Sequence, residues 1–329
     1  MNQRIGYCTT RDGVRIAYAT VGKGSPIVRT SHWMTHVQHD LKSPIWRHTL
    51  LYLAMHHELI SYDARGEGMS QRDVDSLSFE KWLLDLDAVV EASGHERFVL
   101  FGCSQGAATA IAYAVRNPER VTHLILYGGF ADNKLRWDNK EAFELARGLI
   151  RQGWGSDHDE YRQWFTSRFL PDGSADQFRY FNRMMSQSAT PEIAEQHLAT
   201  AATIDVTALL GQVKAPTLVL HCVDDIVASV ECGRQMAAGI PGARFVPLPG
   251  KNHMLLAGSP AHHEFAEAVA EFLGDPPPPR VLPGTRNLQE HASALVGAVE
   301  RNWLIKLILL AGAILGLALS VAQIPGLLG

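Results

Sequence analysis

Short apolar segments alternate with helical patterns through much of the chain. The apolar segments lie at 26–30, 59–62, 98–101, 123–127 and 216–221. Between two of them, residues 79–92 place five large apolar side chains on one helical face: Trp82, Leu83, Leu86, Val89 and Val90. Strands that are apolar on both faces and alternate with helices are typical of a parallel sheet covered on both sides. The pattern therefore predicts an α/β fold with a mostly parallel sheet.

Two segments depart from this alternation. Residues 6–9 and 14–21 flank a turn at 11–13, which predicts an antiparallel hairpin at the edge of the sheet. Residues 131–210 contain no strand pattern but many aromatic and methionine residues at helical spacing. We expect a helical lid there, inserted after the sixth strand. The alternative is a helical layer that only packs on the sheet.

The C-terminal part of the chain changes in composition. A folded domain is expected to span 1–273, followed by a proline-rich linker at 274–286 and an amphipathic helix at 287–302. Residues 303–324 are apolar except for Lys306, Ser320 and Gln323. A run of about 20 such residues is long enough to cross a bilayer as a helix. We expect a single-pass membrane protein; the alternative is a buried helix packed on the domain.

The charges around 303–324 predict its orientation. Arg280, Arg286, Arg301 and Lys306 precede or begin the segment, and 307–329 contains neither lysine nor arginine. Under the positive-inside rule the preceding domain lies in the cytoplasm. Gly312 and Gly316 have the spacing that lets two membrane helices approach closely, which would permit a homodimer. Small residues are also frequent in membrane helices that do not dimerise.

The overall composition excludes some classes of partner. The formal net charge is −4 and no basic cluster occurs, so we expect no nucleic-acid partner. Residues 1–13 lack the apolar stretch of a secretory signal. None of the four cysteines lies in a CxxC pair, so a disulfide framework is not expected.

A nucleophilic serine is predicted at Ser104. Gly102-Cys103-Ser104-Gln105-Gly106 fits G-x-S-x-G, follows an apolar strand and begins a helix of small residues. A serine at such a strand-to-helix turn adopts a strained conformation, and the flanking glycines avoid a clash. The helix N-terminus also directs free N–H groups towards the site.

The remaining members of a catalytic triad follow in chain order. A serine hydroxyl needs a base, and His253 lies on the loop after the last predicted strand, 245–248. The acid should follow the penultimate strand, where both Asp224 and Asp225 occur. Asp132, after the sixth strand, is a third candidate.

The other polar clusters lead to fewer expectations. The backbone N–H groups of Trp33 and Gln105 are expected to form the oxyanion hole. His32, His36, His39 and Asp40 are interpreted as loop residues, so neither a metal nor another cofactor is expected. The segment 56–58 looks like the exposed end of a helix, and Asp85 and Asp87 are placed on the polar face of theirs.

These motifs resemble those of the α/β-hydrolase superfamily over residues 6–273. Residues 62–70 resemble its YDxRGxGxS loop, 117–121 its NPERV segment and 221–225 its HGxxD segment, with Cys222 in place of glycine. The last match implies that Asp225 is the acid. Ser31 and His32 stand where the family has His-Gly, which changes the oxyanion loop. Residues 33–48 resemble a bacterial subgroup whose hydrolase-like modules are often fused to cyclase or regulator domains.

Two classes of function fit these residues. The first is a membrane-anchored serine hydrolase that cleaves carboxylic esters of apolar acyl or alkyl groups through an acyl-enzyme. A thioesterase, a lactonase or a cofactor-free perhydrolase would use the same residues. The second is a non-catalytic ligand sensor or scaffold on the same fold. A pure binding module has no need of all three triad groups, so the residues favour the enzyme.

Overall fold

The computed structural model describes residues 1–133, 140–156 and 159–278. Within them one sheet has the strand order β1-β2-β4-β3-β5-β6-β7-β8. The strands are β1 (Arg4–Thr9), β2 (Arg15–Gly22), β3 (Ser25–Arg29), β4 (His57–Tyr62), β5 (Phe98–Cys103), β6 (Val121–Tyr127), β7 (Thr217–Cys222) and β8 (Arg244–Leu248). β2 is antiparallel to both its neighbours, and the pairs from β4 to β8 are parallel. The mostly parallel sheet and its edge hairpin are therefore present.

Helices cover both faces of this sheet. They are α1 (Val37–Asp40), α2 (Arg47–Leu53), α3 (Phe79–Ser93), α4 (Gly106–Arg116), α5 (Lys140–Gly153), α6 (Glu160–Phe169), α7 (Ala175–Ser188), α8 (Pro191–Ala202), α9 (Val230–Gly239) and α10 (Pro260–Leu273). Alternate side chains of a strand point to opposite faces. On β5, Leu100 packs in the cluster that contains α3 and α4. Its neighbour Phe101 lies in the cluster on the other face, against Phe265 of α10.

The strand order places the predicted site residues together. The chain runs from β3 to β4 on one side and then returns to add β5 on the other side of β3. In open α/β sheets, ligands bind beyond the carboxyl ends of the strands at such a reversal. Trp33 follows β3 there and Ser104 follows β5. Asp225 and His253 follow β7 and β8 at the same edge.

Helices α5–α8 form a cap inserted between β6 and β7. They occupy most of the segment predicted to be a helical lid, and a 3₁₀ helix at Thr207–Gln212 completes it. Large side chains of the cap are buried within one of the two main hydrophobic clusters: Trp154, Phe165, Phe169, Phe181, Met184 and Met185. The cap is therefore continuous with the hydrophobic core.

Two expectations about polar residues are wrong. Asp85 does not lie on an exposed helix face: it is fully buried and accepts from Arg65, Nε to Oδ1, at 2.8 Å. Burial raises the pKa of Asp85 to about 6, although Arg65 opposes the shift. His57 does not end an exposed helix but begins β4, where it is buried and contacts Asp275 at 2.7 Å. Asp85 and His57 are therefore both buried and paired with residues outside their own helix or strand.

The C-terminal expectations fall mostly outside the described residues. Helix α10 ends at Leu273, and Gly274 takes the left-handed conformation (φ 75°) common after a helix. Three expectations lie outside the described residues: the amphipathic helix at 287–302, the membrane helix at 303–324 and the Gly312–Gly316 pair. Among the helices of residues 1–278 that the structure describes, none has the length and apolarity to span a membrane.

Candidate active site

Ser104 lies in a strained turn between β5 and α4. Its φ is 53°, in the left-handed region that residues with a side chain rarely adopt. The two flanking glycines permit this turn: a Cβ on Gly102 would lie 2.7 Å from Ala107 Cα, and one on Gly106 would lie 2.3 Å from Thr30 Oγ1. Strained residues persist where the surrounding structure enforces them, often at active sites.

Three side chains from three loops form a hydrogen-bonded chain. The distance from Ser104 Oγ to His253 Nε2 is 3.0 Å. His253 Nδ1 lies 2.6 Å from Asp225 Oδ2. Ser104 is 1% exposed and His253 is 0% exposed, so the chain is shielded from water. A donor at Nδ1 leaves Nε2 free to accept the serine proton, which is the arrangement that acyl transfer requires.

The structure distinguishes between the three candidate acids. Asp225 is buried and contacts His253, whereas Asp224 is exposed. Asp132 accepts from Gln235 at 2.9 Å. Only Asp225 therefore has the position of a triad acid.

The environment of Asp225 favours its charged form. Burial alone would raise its pKa, but His253 and the N–H of Val227, at 2.8 Å, together lower the pKa below its ordinary value. The nearby His221 is 3.8 Å from the same carboxylate oxygen and contacts Ala228 O at 2.8 Å. Burial lowers the pKa of His221, although Asp225 and the hydrogen bond to Ala228 oppose the shift.

The two expected oxyanion donors lie in buried segments that touch each other. The close approach of Gly106 to Ser31 O brings the loop after β3 against the turn at Ser104. Trp33 and Gln105 are 2% and 3% exposed. In the part of the chain that the structure describes, neither backbone N–H donates to a protein acceptor. Both N–H groups thus remain available, and their role stays a prediction.

The cap contributes residues that the sequence patterns did not indicate. Phe169 O accepts from the backbone N–H of His253 at 3.0 Å, and the Phe169 ring stands edge-on to the imidazole, with ring centroids 5.2 Å apart. Tyr127 from β6 donates to His253 O at 2.9 Å. These contacts fix the base from two sides. No local motif signals them, because Phe169 and His253 lie far apart in sequence.

An apolar pocket adjoins the triad beneath the cap. It encloses about 20 Å³, enough for about one water molecule. Its lining comes from the oxyanion loop, the cap and the acid loop: Trp33, Trp164, Phe165, Arg168, Phe169, Leu198 and Val227. The pocket thus lies between the cap and the two loops that carry the expected oxyanion donor and the acid.

Comparisons with known proteins agree with this fold. A putative carbamate hydrolase from Azorhizobium caulinodans is 25% identical over 234 residues, which cover 70% of this chain and 86% of that protein. A bifunctional esterase/perhydrolase from Acinetobacter calcoaceticus is 26% identical over 270 residues, 76% of this chain and 93% of the relative. The crystal structure of a bromoperoxidase from Bacillus anthracis superposes with a TM-score of 0.71 and 20% identity, covering 83% of this chain and all of that one.

A family model described as the α/β-hydrolase fold matches residues 39–260, which include Ser104, Asp225 and His253. The match covers more than half of the chain. The predicted resemblance is thereby confirmed. The two relatives described above are named as a carbamate hydrolase and an esterase/perhydrolase, so they act on different bonds. The chain belongs to the α/β-hydrolase family.

Proposed function

We propose that this protein is a serine hydrolase that cleaves carboxylic esters through an acyl-enzyme. The observation that supports it most is the buried chain Ser104–His253–Asp225, with Ser104 in a strained turn. A ligand sensor on this fold would have no use for a base aligned on a serine hydroxyl. The relative from Acinetobacter calcoaceticus is described as an esterase and perhydrolase, which also favours ester substrates.

The steps follow from the geometry. Ser104 Oγ attacks the acyl carbon of the ester while His253 Nε2, at 3.0 Å, accepts the hydroxyl proton. The N–H groups of Trp33 and Gln105 would donate to the oxyanion. The intermediate collapses as His253 returns the proton to the departing alcohol. Water, deprotonated by His253, then hydrolyses the acyl-enzyme and releases the acid. Throughout, Asp225 holds the imidazole and stabilises its protonated form.

The pocket favours an apolar acyl or alkyl group. Trp33 stacks on Phe165 with ring centroids 5.8 Å apart, and Leu198 and Val227 lie beside them. Burying methylene groups against such side chains contributes about 0.8 kcal/mol each. Thioesters, lactones and perhydrolysis would use the same groups, and the choice among them depends on the acceptor and leaving group.

A panel of p-nitrophenyl esters of increasing acyl length tests this proposal. We expect wild type to hydrolyse them and to react with a fluorophosphonate probe, because both reactions need an activated serine. Ser104→Ala should lose both activities. Covalent labelling that survives in Ser104→Ala would place the nucleophile elsewhere. Binding of esters without turnover or labelling would favour the sensor.

We further propose, from the sequence pattern, that residues 303–324 anchor the enzyme in a membrane with the catalytic domain in the cytoplasm. Full-length protein should sediment with membranes and require detergent, while a chain truncated after Pro278 should stay in the supernatant and remain active. As a control, Gly312→Ile with Gly316→Ile should leave sedimentation unchanged and abolish tail-dependent crosslinking. Full-length protein that is soluble without detergent would contradict the anchor. Crosslinking that persists would contradict the dimer alone.

A further inference from the structure

A buried polar chain beside the triad connects the cap to the residue after the nucleophile. His197, on cap helix α8, is 1% exposed. Its Nε2 is hydrogen-bonded to Gln105 Nε2, and its Nδ1 contacts Glu67 Oε1. Glu67 is fully buried in the loop after β4. The Gln105 amide nitrogen can only donate, so the imidazole accepts at Nε2, and its Nδ1 faces the carboxylate of Glu67.

Glu67 also holds the loop that carries Trp33. Its Oε2 accepts from Thr35 N at 3.1 Å and from Thr35 Oγ1 at 3.2 Å. Thr35 Oγ1 in turn lies 3.1 Å from Ser31 Oγ, so the two hydroxyls close the loop on either side of Trp33. A carboxylate oxygen that accepts two hydrogen bonds from one residue is a firm anchor for that residue in a buried site.

This polar chain therefore contacts both segments that are expected to form the oxyanion hole: the turn at Gln105 and the loop at Thr35. Each segment contains a strained residue: Met34 has φ 54° and Ser104 has φ 53°. Among the described residues, these are the two that adopt a positive φ without being glycine. Thr35 follows Met34 and Gln105 follows Ser104 directly. Strain of this kind is kept only where neighbouring contacts enforce it. The hydrogen bonds at Thr35 and Gln105 are such contacts.

The packing of His197 fixes its position. Its ring lies between Trp33, 5.2 Å away, and Trp82, 4.8 Å away, as measured between ring centroids. Trp33 belongs to the oxyanion loop and Trp82 to α3, so His197 contacts the body of the enzyme although it comes from the cap. The polar chain exists only while α8 is docked on the body.

We propose that Glu67 and His197 are positioning residues that assemble the oxyanion hole when the cap is closed. His197 aligns the turn at Gln105, and Glu67 aligns the loop at Trp33 through Thr35. The inference rests on the proposed ester hydrolysis and deepens it, because catalysis becomes linked to the docked cap. A hole assembled in this way stabilises the developing oxyanion more than the bound ester, so its loss should lower kcat rather than raise KM.

His197→Phe tests this directly, because it keeps an aromatic ring between the two tryptophans and removes both nitrogens. We expect kcat to fall about 10- to 100-fold, since loss of a whole oxyanion donor costs about 10²- to 10³-fold and displacement costs less. KM should change by less than about threefold, as ground-state binding is preserved. The Ki of a trifluoromethyl ketone, which forms an oxyanion on the serine, should rise by the same factor as kcat/KM falls.

Two further variants separate positioning from folding. Glu67→Gln should also lower kcat with little change in KM. The double variant of Glu67→Gln with His197→Phe should have a kcat little lower than either single variant, because both residues act through the same polar chain. Thr166→Val is the matched control: it removes a buried cap hydrogen bond, to Asn182, that does not touch this chain. We expect it to lower Tm while kcat per titrated serine is unchanged. Active sites are counted by complete fluorophosphonate labelling.

Two results would overturn the inference while leaving the proposed function intact. One is a trifluoromethyl ketone Ki that stays constant while kcat/KM of His197→Phe falls. The other is a loss of activity that matches the loss of titratable serine, as a purely structural role predicts. Wild-type protein that neither hydrolyses esters nor reacts with the fluorophosphonate would overturn the proposed function, and the inference with it.

Discussion

Ser104→Ala and His253→Ala are each expected to lower kcat for ester hydrolysis by at least about 10⁴-fold. The reason is the 3.0 Å contact between Oγ and Nε2, which makes nucleophile and base one unit. The double variant should therefore be no more than about tenfold worse than either single variant. Initial rates on a p-nitrophenyl ester, measured at saturating substrate concentration, would show this.

A matched histidine serves as the control for this experiment. His57 is also buried, but it begins β4 at the opposite edge of the sheet and pairs with Asp275. His57→Gln should change stability without lowering kcat per titrated serine. Effects of Ser104→Ala and His253→Ala that multiplied in the double variant would show that the two residues act separately, against the triad.

Asp225→Asn is expected to lower kcat by about 10⁴-fold, because an amide at this position favours the wrong imidazole tautomer. The carboxylate accepts from His253 at 2.6 Å and is held in its charged form with a lowered pKa. The adjacent Asp224→Asn is a matched control: the charge change is the same, the position differs by one residue, and the side chain is exposed. It should leave kcat within about twofold, as surface substitutions usually do.

The two aspartate variants are compared by kcat, KM and thermal unfolding on the same preparations. Asp225→Asn should retain its fluorophosphonate site while reacting far more slowly. Inactivation by Asp224→Asn with full activity in Asp225→Asn would reverse the assignment. Equal losses in both would point to the charge of the whole loop rather than to one hydrogen bond.

The cap and the buried position of the triad affect how both experiments are interpreted. The pocket beside the triad encloses about 20 Å³, and the triad itself is buried. Phe165 and Leu198 of the cap line this pocket, and we expect substrate entry to displace them. Opening steps of this kind often limit kcat in hydrolases with lids. Variants that slow only the chemical step should then show smaller effects in kcat than in single-turnover acylation.

The sequence by itself determined the elements whose signals are local. The alternation of buried strands and helices predicted the sheet, because a strand covered on both faces requires apolar residues throughout. The motif at 102–106 predicted the turn at Ser104, since only glycines fit on either side of it. The position of His253 after the last strand followed from chain order, which is a topological property.

Tertiary structure decided everything that depends on partners distant in the chain. Asp224 and Asp225 are the same residue type; the family resemblance implied Asp225, and the direction of the loop after β7 brings its carboxylate to His253. Asp85 looked like a surface residue because it lies on the polar face of its helix, yet it is buried and paired with Arg65, which is also buried. The contact of His197 with Glu67 and Gln105 spans three segments. Such contacts leave no periodicity in the sequence, because burial and hydrogen bonding are set by the whole fold.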